Sequence, residues 1–110
     1  MNLKIISLGN FKKEAKKLHT KYKKLPSDLK ALAERLNTNP KKGIELGANC
    51  YKIRLKNSSI PTGKSGGFRI VYYYYDGESD LYLLSIFSKR DMENISDKRV
   101  LELLYKYGFI

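Results

Sequence analysis

The clearest pattern in the sequence is a six-residue segment, 51–56, in which apolar and cationic side chains alternate. Tyr51, Ile53 and Leu55 are apolar, and a cation follows each of them. The three cations are Lys52, Arg54 and Lys56. Because successive side chains of a β-strand point to opposite faces of a sheet, this period of two predicts a strand with one apolar and one cationic face. The fold must therefore cover one side of a sheet and leave the other side polar.

Two more strands are predicted downstream, and the three together form an antiparallel meander. Residues 68–75 alternate and place Arg69 and Tyr73 on one face. The Asp-Gly dipeptide at 76–77 is typical of a hairpin turn. Residues 81–88 are apolar on both faces, which indicates a strand in the centre of the sheet.

The first half of the chain has the period of helices. After a short strand at 2–7, apolar residues recur every three or four positions in two successive segments, the second ending near 37–40. These positions are Phe11, Ala15, Leu18, Tyr22 and Leu25, followed by Leu29, Leu32, Ala33 and Leu36. A last helix is capped by Ser96 and ends at Gly108. The order βααβββα predicts one α+β domain over 1–110, with a helical hairpin on one face of a small, mainly antiparallel sheet.

The chain is strongly basic, since 22 Lys and Arg oppose 11 Asp and Glu in 110 residues and give a net charge of +11. Most of the excess lies between positions 12 and 24, where seven lysines meet only Glu14. Such a field attracts polyanions, so we expect a nucleic acid or an acidic protein as partner. The lysines expected to contact it are Lys12, Lys13, Lys16 and Lys17. The alternative interpretation is an ordinary solvated helix face.

The residue types that build many catalytic and metal sites are scarce. His19 is the one histidine and Cys50 the one cysteine, so the chain offers neither a pair of imidazoles for acid–base catalysis nor a Ser or Cys triad. The acidic residues of 76–80 lack the length and glycine placement of a calcium loop. We therefore expect no metal and no cofactor. The lone cysteine and the lack of a long apolar run in the sequence favour a cytoplasmic protein.

A glycine-rich loop, 63–67, precedes the second strand of the meander. Gly63, Lys64 and Ser65 resemble the end of a nucleotide-binding phosphate loop, but that motif requires a glycine where Ser58 stands. The loop can still bring backbone amides and Lys64 close to a phosphate. An ordinary connecting loop fits the spacing equally well.

A meander brings cations from all of its strands to one side of the sheet. Those expected there are Lys52, Arg54, Lys56, Arg69, Lys89 and Arg90. Guanidinium and ammonium groups stabilise the charge that grows on phosphodiester oxygens during cleavage, and RNA supplies its own nucleophile, the 2′-hydroxyl. The alternative is a surface that binds nucleic acid without cutting it. Tyr73 has the same parity as Arg69 and either stacks on a base or packs in the core.

The three strands of the meander read YKIRLK at 51–56, GKSGGFRIVY at 63–72 and LYLLSIFSKR at 81–90. In these segments the chain resembles the RelE/HigB toxins of the RelE/ParE superfamily, from bacterial type II toxin-antitoxin systems. The resemblance implies a RelE-like βααβββ fold with a C-terminal helix. It also implies an endoribonuclease that cleaves mRNA on the ribosome without a metal, inhibits translation and is neutralised by a cognate antitoxin.

The resemblance also implies roles for individual cations. Lys52 and Arg54 occupy the paired basic positions of the family and are expected to position the phosphate and assist proton transfer. Arg69 and Arg90 are expected to stabilise the phosphate in the transition state. Lys89, which precedes Arg90, is counted with these catalytic residues.

The remaining assignments concern RNA binding and the proton acceptor. Lys56 and Lys64 are expected to hold RNA, and the lysine-rich helix to contact phosphates of ribosomal RNA. The catalytic Tyr of the best-known member is absent from 91–96 of this chain. Three residues stay open as alternatives for the general base: Tyr105, Tyr107 and Lys52.

Two other functions stay open at this point. One is a ParE-like toxin of the same fold that inhibits DNA gyrase without cutting RNA, against which the presence of Arg69 and Arg90 argues. The other is a noncatalytic, basic nucleic-acid-binding module, which composition alone would favour.

Overall fold

Five strands and three helices follow one another along the residues that the computed structural model describes, 3–61 and 66–110. The first four elements are β1 (Lys4–Ser7), α1 (Gly9–Lys21), α2 (Leu25–Thr38) and β2 (Ile44–Gly47). The next four are β3 (Cys50–Leu55), β4 (Phe68–Tyr74), β5 (Asp80–Ser88) and α3 (Asp97–Lys106). No helix within these ranges combines the length and the apolar character that crossing a membrane requires.

The strands form one sheet in the order β1-β5-β4-β3-β2. β1 runs parallel to β5, whereas every other neighbouring pair is antiparallel. The predicted α+β class, the mainly antiparallel sheet and the meander, now β3-β4-β5, are therefore confirmed. The parallel pair makes the sheet mixed.

The strand β2 was not predicted from the sequence. All four of its residues are exposed, so it lacks the alternation that marks a half-buried strand. A tight hairpin joins it to β3 through Ala48 and Asn49, whose φ angles are 51° and 62°. Two consecutive residues with positive φ are typical of the turns whose twist matches that of paired strands. Turn geometry, rather than burial, therefore holds β2 at the edge of the sheet.

The helices α1 and α2 cover one face of the sheet, as their apolar stripes predict. The buried residues that β3 and β4 contribute to this core are Tyr51, Ile53, Leu55, Phe68, Ile70, Tyr72 and Tyr74. The Tyr72 hydroxyl donates to the carbonyl oxygen of Pro40 at 2.8 Å and accepts from the N–H of Gly43 at 3.0 Å. Burial raises the pKa of Tyr72 to about 12, so this hydroxyl stays protonated as the donor.

Part of the opposite face, which the alternation at 51–56 predicted to be polar, is covered by α3. The apolar side of α3 packs against four buried residues of the sheet: Cys50, Val71, Leu84 and Phe87. Because a strongly amphipathic helix must bury its apolar side, this packing follows from the composition of α3. Burial raises the pKa of Cys50 to about 12, so its thiol is an inert packing group. Lys52 and Arg54 remain accessible on the same face.

Polar residues of α1 hold the edge of β5 where its pairing with β1 ends. The Asn10 Nδ2 donates to the carbonyl oxygen of Leu84 at 2.9 Å. The Glu14 Oε1 accepts from the Ser85 hydroxyl at 2.7 Å and from the Ile86 N–H at 3.2 Å. The acid of the lysine-rich helix is thus turned toward the sheet, and the lysines around it face solvent.

Candidate functional site

Arg54 and Arg69 lie directly opposite each other on the neighbouring strands β3 and β4. Lys52 lies two residues away on β3, opposite Val71 and on the same face as Arg54. Opposed residues of an antiparallel pair have Cβ atoms about 4.5–5.5 Å apart, and like charges in that position repel. Arg54 is exposed, and Lys52 and Arg69 are half-buried. The structure therefore gathers three of the predicted catalytic cations where an anion would relieve their repulsion.

Backbone carbonyls hold the guanidinium of Arg69. Its Nη1 donates to the carbonyl oxygen of Gly66 and, at 3.2 Å, to that of Phe68. Burial lowers the pKa of Arg69, the neighbouring Arg54 lowers it further, and Glu93 acts in the opposite direction. Because arginine keeps its charge in proteins, the group presents a full positive charge in a defined place.

Gly66 and Gly67 shape the backbone beside Arg69. Their φ angles of +107° and +55° lie in the region that favours glycine. A Cβ on Gly66 would collide with the side chain of Lys89, and a Cβ on Gly67 would collide with the carbonyl oxygen of Leu55. The Lys89 N–H also donates to the Gly67 carbonyl at 3.0 Å. The described end of the glycine-rich loop therefore packs directly against the turn that follows β5.

That turn, residues 89–94, adds charged and polar groups to the cluster. The Lys89 Nζ lies 3.1 Å from the Glu93 Oε1 and 3.3 Å from the Glu93 carbonyl oxygen. The Asn94 Oδ1 accepts a 2.9 Å hydrogen bond from the Lys52 Nζ. Arg90 is exposed next to Lys89. Glu93 and Asn94 therefore connect the end of β5 with the cations of β3 and β4.

Sequence reasoning missed Glu93 and Asn94 as members of the site. They lie in the segment 91–96, which stood out only because it lacks the Tyr that the resemblance implies. A carboxylate four residues after Lys89 was a signal in the sequence, but pairing depends on how the turn closes. The bond from Lys52 to Asn94 joins residues 42 positions apart, so no local pattern reveals it.

The residues predicted to bind RNA from the sheet lie in different places. Lys56 is exposed immediately beyond β3, and Lys64 lies outside the described residues. Tyr73 stacks on Phe109, with ring centroids 4.2 Å apart and planes 14° apart. Tyr73 also lies four residues beyond Arg69, about 13 Å along the strand. This placement favours the packing interpretation of Tyr73 over base stacking.

The lysines of α1 predicted to bind RNA are all exposed: Lys12, Lys13, Lys16 and Lys17. Lys13 and Lys17 line a groove between α1 and the end of β5. Phe87 lies on the other wall of that groove, and Asp91 and Met92 bring it to the turn after β5. The groove thus runs from the lysines of the helix to the turn that carries Arg90.

The structure places both tyrosines considered as the general base away from the cations. The Tyr107 hydroxyl accepts a 2.7 Å hydrogen bond from the N–H of Asn10 at the start of α1. Tyr105 lies on the outer side of α3 and is 77% exposed. Because α3 buries its other side against the sheet, neither hydroxyl faces the cluster of Lys52, Arg54 and Arg69. These two alternatives are therefore set aside.

Several acidic side chains bind a cation or a hydrogen-bond donor of the protein itself. Within residues 3–61 and 66–110, no three His, Cys, Asp or Glu side chains form a group that could hold a metal ion. In the hairpin between β4 and β5, Asp76 lies 2.8 Å from Lys41, and Asp80 accepts a 3.4 Å hydrogen bond from Tyr82. What the cluster offers chemically is stabilisation of negative charge.

Comparison with known proteins gives a matching family model and solved structures of the same fold. A family model described as the RelE toxin of the RelE/RelB toxin-antitoxin system matches residues 3–106. An E. coli toxin RelE mutant with two arginines changed to alanine, in the free state, is 22% identical with a TM-score of 0.59, and the match covers 84% of this chain and 90% of that chain. The same mutant in complex with an antitoxin RelBc peptide is 20% identical with a TM-score of 0.58, and the match covers 93% and 94%. At these identities the two structures show the shared fold.

Proposed function

This chain belongs to the RelE toxin family of toxin-antitoxin systems, and on that premise we propose that it is an endoribonuclease that cleaves mRNA on the ribosome. The observation that carries the proposal is the opposition of Arg54 and Arg69 on an accessible part of the sheet, with Lys52 beside them. Three adjacent cations without a matching number of carboxylates are suited to a phosphodiester. Cleavage of translated mRNA would inhibit protein synthesis.

The cleavage reaction uses the 2′-hydroxyl that RNA itself carries. The 2′-oxygen of RNA attacks the adjacent phosphorus, a 2′,3′-cyclic phosphate forms, and the 5′-oxygen of the next nucleotide leaves. Negative charge grows on the nonbridging oxygens, where Arg69 and Arg90 would stabilise it and Lys52 and Arg54 would position the phosphate. Arg69 uses Nη1 for its backbone bonds, so its Nη2 and Nε donors can be directed at the phosphate. Lys89 adds positive charge at the edge of the same cluster.

Binding to the ribosome gives the lysines of α1 a function. Ribosomal RNA surrounds a translated message with phosphates, and each phosphate that a protein cation neutralises adds salt-dependent affinity. The predicted contacts are Lys12, Lys13, Lys16 and Lys17, together with Lys56 and Lys64. The site of action would then be the cytoplasm.

We also propose an antitoxin protein as partner. Support comes from the family and from the E. coli toxin RelE mutant, whose structure was solved in complex with an antitoxin peptide. A partner that covers the cationic cluster would compete with the phosphate. A partner that covers the helix would keep the protein from the ribosome.

The test is to add the purified protein to a translation extract and to map the ends of the mRNA fragments. We expect 2′,3′-cyclic phosphate and 5′-hydroxyl ends, and a rate about 10²–10³-fold lower for Arg69→Ala and for Arg90→Ala. Lys30→Ala, an exposed lysine on α2, is the matched control and should cleave at the rate of the unmodified protein.

Three results would contradict parts of the proposal. Intact mRNA together with blocked gyrase supercoiling would support a ParE-like inhibitor instead. Intact mRNA with retained RNA binding would support a noncatalytic module. Cleavage that both arginine substitutions leave unchanged would place the reaction elsewhere on the molecule.

A further inference from the structure

Glu93 is an exposed carboxylate at the edge of the cluster of cations. Its Oε1 lies 3.1 Å from the Lys89 Nζ, and its negative charge raises the pKa of Arg69 against the effects of burial and of Arg54. The side chain of Glu93 is 88% exposed, so a bound nucleotide can reach it. The next residue, Asn94, accepts a hydrogen bond from Lys52, so the turn that carries the carboxylate lies against the cations among which the proposed function places the phosphate.

The other acids near this end of the molecule are directed elsewhere. The Asp91 Oδ1 lies 3.9 Å from the Lys21 Nζ, on the side of α1. Glu14 accepts hydrogen bonds from Ser85 and from the backbone of β5. Among residues 3–61 and 66–110, Glu93 is the carboxylate that forms an ion pair with one of the predicted catalytic cations.

A carboxylate on a phosphate-binding surface weakens binding, because it repels the phosphate and neutralises a cation that would otherwise attract it. If this surface only bound RNA, a neutral residue at position 93 would serve better. A group that accepts a proton is also required when a 2′-hydroxyl becomes a nucleophile, and a carboxylate can supply it. The placement of Glu93 is thus unfavourable for binding and useful for catalysis.

On the basis of the proposed function, we propose that Glu93 is the general base that accepts the proton of the 2′-hydroxyl. As the proton passes to the Glu93 carboxylate, the bond from O2′ to phosphorus forms and the bond from phosphorus to O5′ breaks. The departing 5′-oxygen takes a proton from water or from a neighbouring ammonium group. Lys89 orients the carboxylate through their ion pair, and Asn94, through its bond to Lys52, positions the turn.

The experiment measures single-turnover cleavage of mRNA on ribosomes for the unmodified protein and for Glu93→Gln, with ribosome binding measured in parallel by co-sedimentation. We expect the rate to fall about 10²–10³-fold, the range of general base catalysis, while binding is unchanged or tighter. The matched control is Glu78→Gln, which removes the same charge from an exposed residue in the turn before β5 and should leave the rate unchanged.

A second substrate separates proton acceptance from proton donation. With sulfur in place of the 5′-oxygen at the cleaved bond, the leaving group departs without needing a proton. A general base is still required, so Glu93→Gln should stay slow on this substrate. Recovery of the full rate would assign proton donation to Glu93 and overturn the proposal.

The outcomes also separate this inference from the proposed function. Cleavage by the unmodified protein with an equal rate for Glu93→Gln would overturn the role of Glu93 and leave the ribonuclease activity standing. A slower Glu93→Gln whose binding falls in proportion would show a binding role and overturn the proposal. No cleavage by the unmodified protein would overturn the proposed function, and the role of Glu93 with it.

Discussion

The positive charges of the helix α1 and those of the sheet are held in different ways. The helix lysines extend into solvent from flexible stems. In the sheet, backbone carbonyls hold Arg69, Asn94 holds Lys52, and Glu93 holds Lys89. A mobile ammonium group binds whichever phosphate is near, whereas a fixed cation can favour one distribution of charge over another. The difference supports docking by the helix and chemistry by the sheet.

Among the tests of this difference, the largest effect should come from changing the shape of a fixed cation while keeping its charge. Arg69→Lys removes the planar group that two carbonyls hold, and we expect single-turnover cleavage at saturating ribosomes to slow about 10²-fold. Lys30→Arg, on the exposed side of α2, is the control for exchanging the two cations. A normal rate for Arg69→Lys would show that charge alone suffices.

The next largest effect is expected for Glu14, the acidic residue of the lysine-rich helix α1. Glu14→Ala leaves the Ser85 hydroxyl and the Ile86 N–H without the acceptor that they use, so we expect the free energy of unfolding to fall by about 2 kcal/mol. Lys13→Ala, on the exposed side of α1, should change it by less than about 0.5 kcal/mol. Urea denaturation of both variants measures the two values, and equal values would contradict the different roles of the two side chains.

Docking by the helix should appear as a change in salt dependence. Replacing the four lysines by alanine removes about four phosphate contacts, so the slope of log affinity against log salt should become less steep by about 3. The replaced residues are Lys12, Lys13, Lys16 and Lys17. The control replaces four exposed lysines outside α1: Lys4, Lys30, Lys98 and Lys106. Ribosome binding at several salt concentrations measures both, and equal slopes for the two variants would assign no special role to α1.

The smallest effect is expected for Asn94, which positions the cation Lys52 but carries no charge itself. Asn94→Ala removes the 2.9 Å hydrogen bond to Lys52, and we expect cleavage to slow about two- to threefold, as for other exposed polar contacts of a charged group. Single-turnover rates measure this change. A loss as large as that of Arg69→Lys would mean that Asn94 itself contacts the RNA.

The spacing of apolar residues predicted most of the fold, because an element that covers a core must place an apolar residue at each position that faces the core. The alternation in β3 and the stripes of α1 and α2 are present in the sequence since each element covers a core. The strand β2 was not predicted because its four residues are exposed and a turn, rather than burial, holds them in place. The position of α3 could not be predicted because an amphipathic stripe does not specify which face of a sheet it covers.

The candidate site was predictable in composition but not in geometry. Parity placed Lys52 and Arg54 on one face, whereas the pairing of Arg54 with Arg69 depends on a register that the loop between the strands leaves undetermined. Glu93 reaches Lys89, four residues earlier, only because of how the turn after β5 closes, and Asn94 bonds to Lys52, 42 positions away. Their roles, and those of the cations, stay predictions for the experiments above.

The parallel pairing of β1 with β5 joins segments that are far apart in the sequence. Lys4 pairs with Asp80, and the N–H of Asn10 donates a hydrogen bond to the Tyr107 hydroxyl. The first strand and the first helix therefore contact residues that come much later in the sequence. Contacts of such long sequence separation slow folding, because a large loop must close before they form. During synthesis on a ribosome, β1 and α1 therefore emerge well before the residues that secure them.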